Sequence, residues 1–94
     1  MSESRVESYL RKEVKKAGGA CRKFVSPGRR HVPDNIALWS VAIAEFVECK
    51  DKGRGARAGQ KREHARLKKL GFRVFLIDTK EKVDQYIRGE LPCL

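Results

Sequence analysis

The sequence has no run of 18 or more apolar residues, so nothing in it reads as a membrane-spanning helix. Its first residues, Met1 to Arg5, are polar and lack the apolar core of a secretion signal, which sets the expectation of a cytoplasmic protein in a bacterial or phage-infected cell. Cysteine is scarce: Cys21, Cys49 and Cys93 are odd in number and show no CxxC spacing, which excludes a disulfide framework and a zinc knuckle. There is no internal repeat, low-complexity tract or Pro/Ser-rich linker, so residues 1–94 read as a single domain. A chain of this length buries roughly 60–65% of its unfolded surface, a thin margin that a partner subunit can supplement.

Acid is also in short supply. The chain carries 22 Lys and Arg against 12 Asp and Glu, a net charge of +10. The excess is concentrated between Lys50 and Arg73, where Asp51 and Glu63 are the sole acids among ten basic residues. A stripe of this kind is the footprint of a polyanionic partner, most often nucleic acid. Lys52-Gly-Arg-Gly-Ala-Arg57 lies within it but lacks the GxxxxGK[ST] pattern of a phosphate-binding P-loop, so it reads as a mobile basic loop.

Hydrophobic periodicity orders the elements. Val6, Leu10, Val14 and Ala17 recur every three or four residues, which predicts a helix over 4–17 closed by Gly18-Gly19. A short strand over 20–25 and a Pro/Gly-rich loop over 26–33 follow. Residues 34–39 and 43–49 read as an antiparallel hairpin. A second helix is expected over 57–70, a strand over 72–77 apolar on both faces, and a third helix over 80–88. The order α-β-β-β-α-β-α, with a right-handed βαβ crossover at its centre, predicts a small α/β/α sandwich around a mixed four-stranded sheet.

The hairpin carries the chemistry. With its turn centred near Val41, position i faces position 82 − i, which sets Asp34 opposite Glu48. Directly opposed residues project from one face with side-chain bases roughly 5 Å apart. Two carboxylates so placed repel each other unless a cation lies between them, and Mg²⁺ is commonly held by one or two carboxylates with water and phosphate oxygens. Lys50 emerges on the same face two residues beyond Glu48. The expected metal ligands are therefore Asp34, Glu48 and the Cys49 backbone carbonyl, with Lys50 orienting a water or stabilising charge on phosphoryl oxygens.

Val32-Pro33-Asp34, then Glu45-Phe46-Val47-Glu48-Cys49-Lys50, then Gln60 on the following helix, resemble the signature of the virus-type replication-repair nuclease (VRR-NUC) domain. That family is a branch of the PD-(D/E)xK nuclease superfamily, and the resemblance covers most of the chain. It implies Mg²⁺ or Mn²⁺ as cofactor and phosphodiester hydrolysis in DNA. For a standalone domain it implies a homodimer acting on branched DNA such as Holliday junctions. It also implies that Glu7 on the first helix completes the metal site. Gln60 shares a helical face with His64 and Leu67, and facing the sheet it would contact phosphate or Lys50; His64, one turn deeper, is expected to be a packed core histidine. Arg29, Arg30, Lys52, Arg54, Arg57 and Lys61 are the candidate DNA contacts, whereas Arg62, Arg66 and Lys69 fall on the opposite, solvated face.

Two positions depart from the family pattern: His31 stands where a small residue, often Gly, is usual, and Asn35 where Arg is frequent. Both bear on local phosphate contacts, and neither is expected to touch the metal chemistry. Trp39 and Val41 at the hairpin tip, and Val83, Tyr86 and Ile87 with the tail residues Leu91 and Leu94, are the apolar residues a single domain is expected to leave partly uncovered. They are the candidate dimer surfaces. The competing readings are a non-catalytic nucleic-acid-binding module with incidental acids, and a nicking or restriction-like nuclease working with a partner protein.

Overall fold

A computed structural model describes residues 2–94. Helix α1 spans Glu3–Lys16 and opens with the Ser2 hydroxyl accepting the Arg5 N–H, the usual device for satisfying a free amide at a helix start. Strands β1 (Ala20–Lys23), β2 (Asn35–Trp39) and β3 (Ile43–Cys49) follow, then α2 (Ala58–Lys69), β4 (Val74–Ile77) and α3 (Lys80–Ile87). The expected order and element types hold. The differences are at ends, and they have local causes. The expected fourth strand loses its first two residues because the Phe72 N–H bonds back to the Leu67 carbonyl and the Gly71 N–H to that of Lys68. That pair closes α2 as a Schellman motif with Gly71 at φ +98°.

The sheet runs β1-β2-β3-β4, antiparallel except for the β3–β4 pair, which α2 connects. Asn35 pairs with Val47 and Trp39 with Ile43, so the register is the expected one throughout. One residue beyond the strand end it places Asp34 across from Glu48. Alternation then sorts the faces. Ala37, Val47, Cys49, Phe75 and Ile77 form a core with Val6, Leu10 and Val14 of α1 and Val83 and Tyr86 of α3. Each fully buried Val or Leu contributes about 1.5–3 kcal/mol. The other face carries Phe24, Phe46 and Phe72 in tilted and edge-on contact, at centroid separations of 5.7 and 5.3 Å, and it is covered by α2.

The apolar surfaces anticipated for a dimer need correction. Val83 is fully buried and Tyr86 nearly so, packed between α3 and the core, while Ile87 and Leu91 pack against the same core half-buried and Leu94 stays exposed. Trp39 is not free at the hairpin tip. Its indole N–H reaches Glu45 and Tyr86, both at 3.1 Å, and its ring lies so close to Gly19 that a Cβ there would come within 2.7 Å of it. Burial of Glu45 demands these partners, with Tyr86 O–H donating to it at 2.6 Å and Arg73 paired to its other oxygen. Val41, 90% exposed, remains at the tip, with Leu38 and Ile43 nearby. Among the described residues no helix is long and apolar enough to cross a membrane.

Candidate metal centre

Pro33, fully buried, delivers the chain to Asp34 at the start of β2. The Asp34 carboxylate accepts the Cys49 backbone N–H at 3.0 Å, so the two strand ends are tied through the candidate ligand itself. In an extended strand the carbonyl leaves on the same side as the N–H of its residue, which turns the Cys49 carbonyl toward Asp34. Glu48 is buried, and among the described residues its Oε1 has no hydrogen-bond partner. Burial first, and the neighbouring Glu48 charge second, push the Asp34 pKa up to about 7. Glu48 is thus held out of water and Asp34 partly so, with no Lys or Arg paired to either among the described residues. A buried carboxylate ordinarily has its partners, and the pair fits a hard cation that prefers oxygen ligands.

Glu7 joins from α1. Its carboxylate, Asp34 and the Cys49 thiol present ligand atoms within 4.8 Å of one another. The thiol is the weakest member of that group, because burial pushes its pKa well up and keeps it protonated; the metal ligand is the thiolate. Burial would also raise the Glu7 pKa, but hydrogen bonds from Lys23, Asn35 and Arg11 together outweigh it and hold the group below the usual carboxylate value. Glu7 therefore arrives ionised, with Lys23 at 2.9 Å and Arg11 at 3.0 Å.

Asn35 corrects a sequence expectation. Its amide nitrogen donates to Glu7 at 2.8 Å and to Asp34 at 2.9 Å, from a side chain that is fully buried. The residue expected to lie outside the metal chemistry bridges two of the acids. Its position was legible in strand parity: a polar residue on the core-facing side of β2 needs polar partners, and the acids supply them. Lys23, its cross-strand partner, also went unforeseen, because an exposed lysine on a short edge strand carries no distinguishing pattern.

The remaining candidates divide. Lys50 follows Glu48 on the same side of β3, half-buried, with its backbone N–H on the Ile77 carbonyl at 3.0 Å. Gln60 is half-buried in the first turn of α2, where its side-chain oxygen accepts the Arg57 N–H at 2.9 Å, so it caps the helix. His64 is buried, as expected of a core residue, yet its Nε2 lies 3.7 Å from Glu48 Oε1. His31 adopts φ +69°, which explains why a glycine suits that position. Its imidazole lies over Gly59, where a Cβ would meet it at 2.5 Å.

Among the basic residues, Arg30, Lys52, Arg54, Arg57 and Lys61 are exposed. Arg29 instead braces the loop to α2 through Glu63, with nitrogens at 2.8 and 2.9 Å from Glu63 Oε1. Arg62, Arg66 and Lys69 are exposed, as their helical positions require. The basic loop after Lys50 is tethered at two points: the Glu3 N–H donates to Asp51 at 2.6 Å and the Gly53 N–H to Asp78 at 2.9 Å.

The electrostatics of Asp34 set a stability test. The folded chain keeps the Asp34 proton up to about pH 7, whereas the unfolded chain releases it near 3.8. The folded state therefore binds more protons across that window, and this group costs stability as pH rises through it. Asp34→Asn removes the charge and keeps the acceptor for Cys49. Without metal its melting temperature should match wild type near pH 4 and exceed it at pH 8, each 1 kcal/mol counting for roughly 4–8 °C. The variant should gain nothing from millimolar Mn²⁺ that stabilises wild type. A variant less stable than wild type at pH 8 would contradict an Asp34 carboxyl whose charged form is disfavoured by burial and by Glu48.

No family model matches the sequence. The chain is 46% identical over 79 residues to "Putative nuclease p44" of Acyrthosiphon pisum secondary endosymbiont phage 1, an alignment that spans 84% of this chain and 85% of the phage protein. A solved structure described as a VRR_NUC domain superposes with a TM-score of 0.85 at 31% identity, covering 94% of this chain and 97% of that one. The same fold thus recurs over nearly the whole length of a solved relative, and the chain belongs to the VRR-NUC family of the PD-(D/E)xK nuclease fold, phage and bacterial type.

Proposed function

We propose that this protein is a Mg²⁺- or Mn²⁺-dependent DNA endonuclease that hydrolyses phosphodiester bonds, acting as a homodimer on branched DNA such as Holliday junctions. The observation that carries the reading is the pairing of half-buried Asp34 with buried Glu48, whose Oε1 has no hydrogen-bond partner among the described residues, at the root of an exposed basic loop. Asp34, Glu48 and the Cys49 carbonyl hold the cation, and Glu7 supplies a further carboxylate. A cation held there would supply Lewis acidity toward a phosphate and would lower the pKa of a bound water. Lys50 places its ammonium beside the phosphoryl oxygens, where charge develops. Gln60, with its oxygen committed to the helix cap, has its amide nitrogen left for phosphate. Arg30, Lys52, Arg54, Arg57 and Lys61 hold the DNA backbone, with Arg29 contributing from its station on Glu63. Contacts of this type position a duplex without reading sequence, so selection rests on DNA shape.

Junction, flap, duplex and single-stranded DNA incubated with Mg²⁺, Mn²⁺ or chelator provide the test. Cleavage should require metal and favour the junction. Asp34→Ala, Glu48→Ala and Lys50→Ala should each lower it on the order of 10²-fold or more, while DNA binding and its steep salt dependence persist. Binding without cleavage of any substrate would make the protein a non-catalytic nucleic-acid module.

Symmetric cuts in a four-way junction need two active sites related by a two-fold axis. The exposed apolar residues Leu38, Val41 and Ile43 of the hairpin tip, with Leu70 and Phe72 beyond α2, cluster at the end of the sheet away from Glu48 and Lys50. Burying them between two copies leaves both metal sites open. Light scattering at micromolar concentration should report about twice the monomer mass, and Val41→Glu should halve it without loss of fold. A wild-type monomer that makes paired cuts would contradict this assembly.

A further inference from the structure

We infer that His64 is a positioning residue for Glu48: its Nε2–H donates to Glu48 Oε1 and orients the carboxylate, leaving the second oxygen for the cation. The inference rests on the metal-nuclease reading above and adds to it a residue from α2.

The two side chains are 4% and 5% exposed and their polar atoms lie 3.7 Å apart. Neither atom has a hydrogen-bond partner among the described residues. Leaving either unsatisfied costs roughly 1–3 kcal/mol, so two such atoms facing each other are a pair held just beyond bonding range. Closing the gap to about 3 Å takes a shift of well under 1 Å. The imidazole also lines a cavity of about 350 Å³ between α2 and β4, with Lys61, Ala65 and Leu76, so it is not enclosed by packing on every side. The helix that carries it is fixed. Gly59 fits against His31 and Glu63 holds Arg29, contacts that tie the first two turns of α2 to the loop before β2.

A histidine retained only for packing gives a different expectation, since a phenylalanine would fill the same space without an orphaned nitrogen. Outer partners that orient a ligand typically account for 10–100-fold in metal affinity. The rival readings separate on DNA-free protein, with Mn²⁺ binding measured by calorimetry and electron paramagnetic resonance. His64→Phe and His64→Leu, checked for fold by circular dichroism, should weaken Mn²⁺ binding by about 10–100-fold. His64→Gln, which restores an N–H donor of similar reach, should recover most of it. In a Glu48→Gln background His64→Phe should cause no further loss, because residues acting through one contact are not additive. Wild-type affinity in a folded His64→Phe, or equal losses in the Phe and Gln variants, would overturn the role of His64 and leave the nuclease reading intact. Failure of wild-type protein to bind Mn²⁺ would overturn both.

Discussion

Two acids facing each other across an antiparallel hairpin, Glu48 buried and Asp34 half-buried, are the constraint around which the rest of this small domain is arranged. Asp34 closes the hairpin by accepting the Cys49 N–H, so the group that repels Glu48 also fixes the strand end that carries it. A pKa pushed to about 7 expresses that tension. The surroundings relieve it only in part. Asn35 offers one amide nitrogen to both Glu7 and Asp34, while Lys23 and Arg11 offset Glu7 from the rim. Among the described residues no lysine or arginine is paired with Glu48, and His64 Nε2 lies 3.7 Å from its Oε1. On the proposed metal reading, a divalent ion bound there would relieve the repulsion and couple folding stability to the ligand.

The two helical layers serve this constraint unequally. α1 and α3 close an apolar core with the sheet and carry most of the burial. α2 meets the other face with few apolar contacts; its buried residues are Gly59, Glu63 and His64. A helix with so polar an inner surface is a weak contributor to the core, and its value lies in what it holds in place. It brings Gln60 and His64 toward the end of β3 and carries Lys61 on the rim of the cavity beside β4.

Much of this was legible in the chain. Element order followed from periodicities of 3.6 and 2, and the hairpin register followed from a turn centred near Val41, where φ is +63° and the next residue is at +59°. That register alone brings Asp34 to Glu48. What could not be read depended on tertiary reach. Whether a buried histidine points at packing atoms or at a carboxylate depends on helix rotation, which a periodic pattern leaves open by tens of degrees. The Arg29–Glu63 brace joins residues 34 apart in the chain, and no local pattern links them. Trp39 is half-buried, as a residue near the hairpin tip was expected to be, but its partners were not legible: a glycine at position 19 opens the space into which its ring folds. Asn35 is the instructive case, since parity already marked it as a polar residue in the core while its difference from the family pattern drew attention to phosphate instead.

Anomalous diffraction from crystals grown with Mn²⁺ tests the central claim most directly. The account predicts a peak bounded by Asp34, Glu48 and the Cys49 carbonyl, with Glu7 on its outer side and Asn35 displaced from at least one of the two acids it now bridges. A peak elsewhere, or none at saturating Mn²⁺ with the Asp34 and Glu48 carboxylates unmoved, would contradict it.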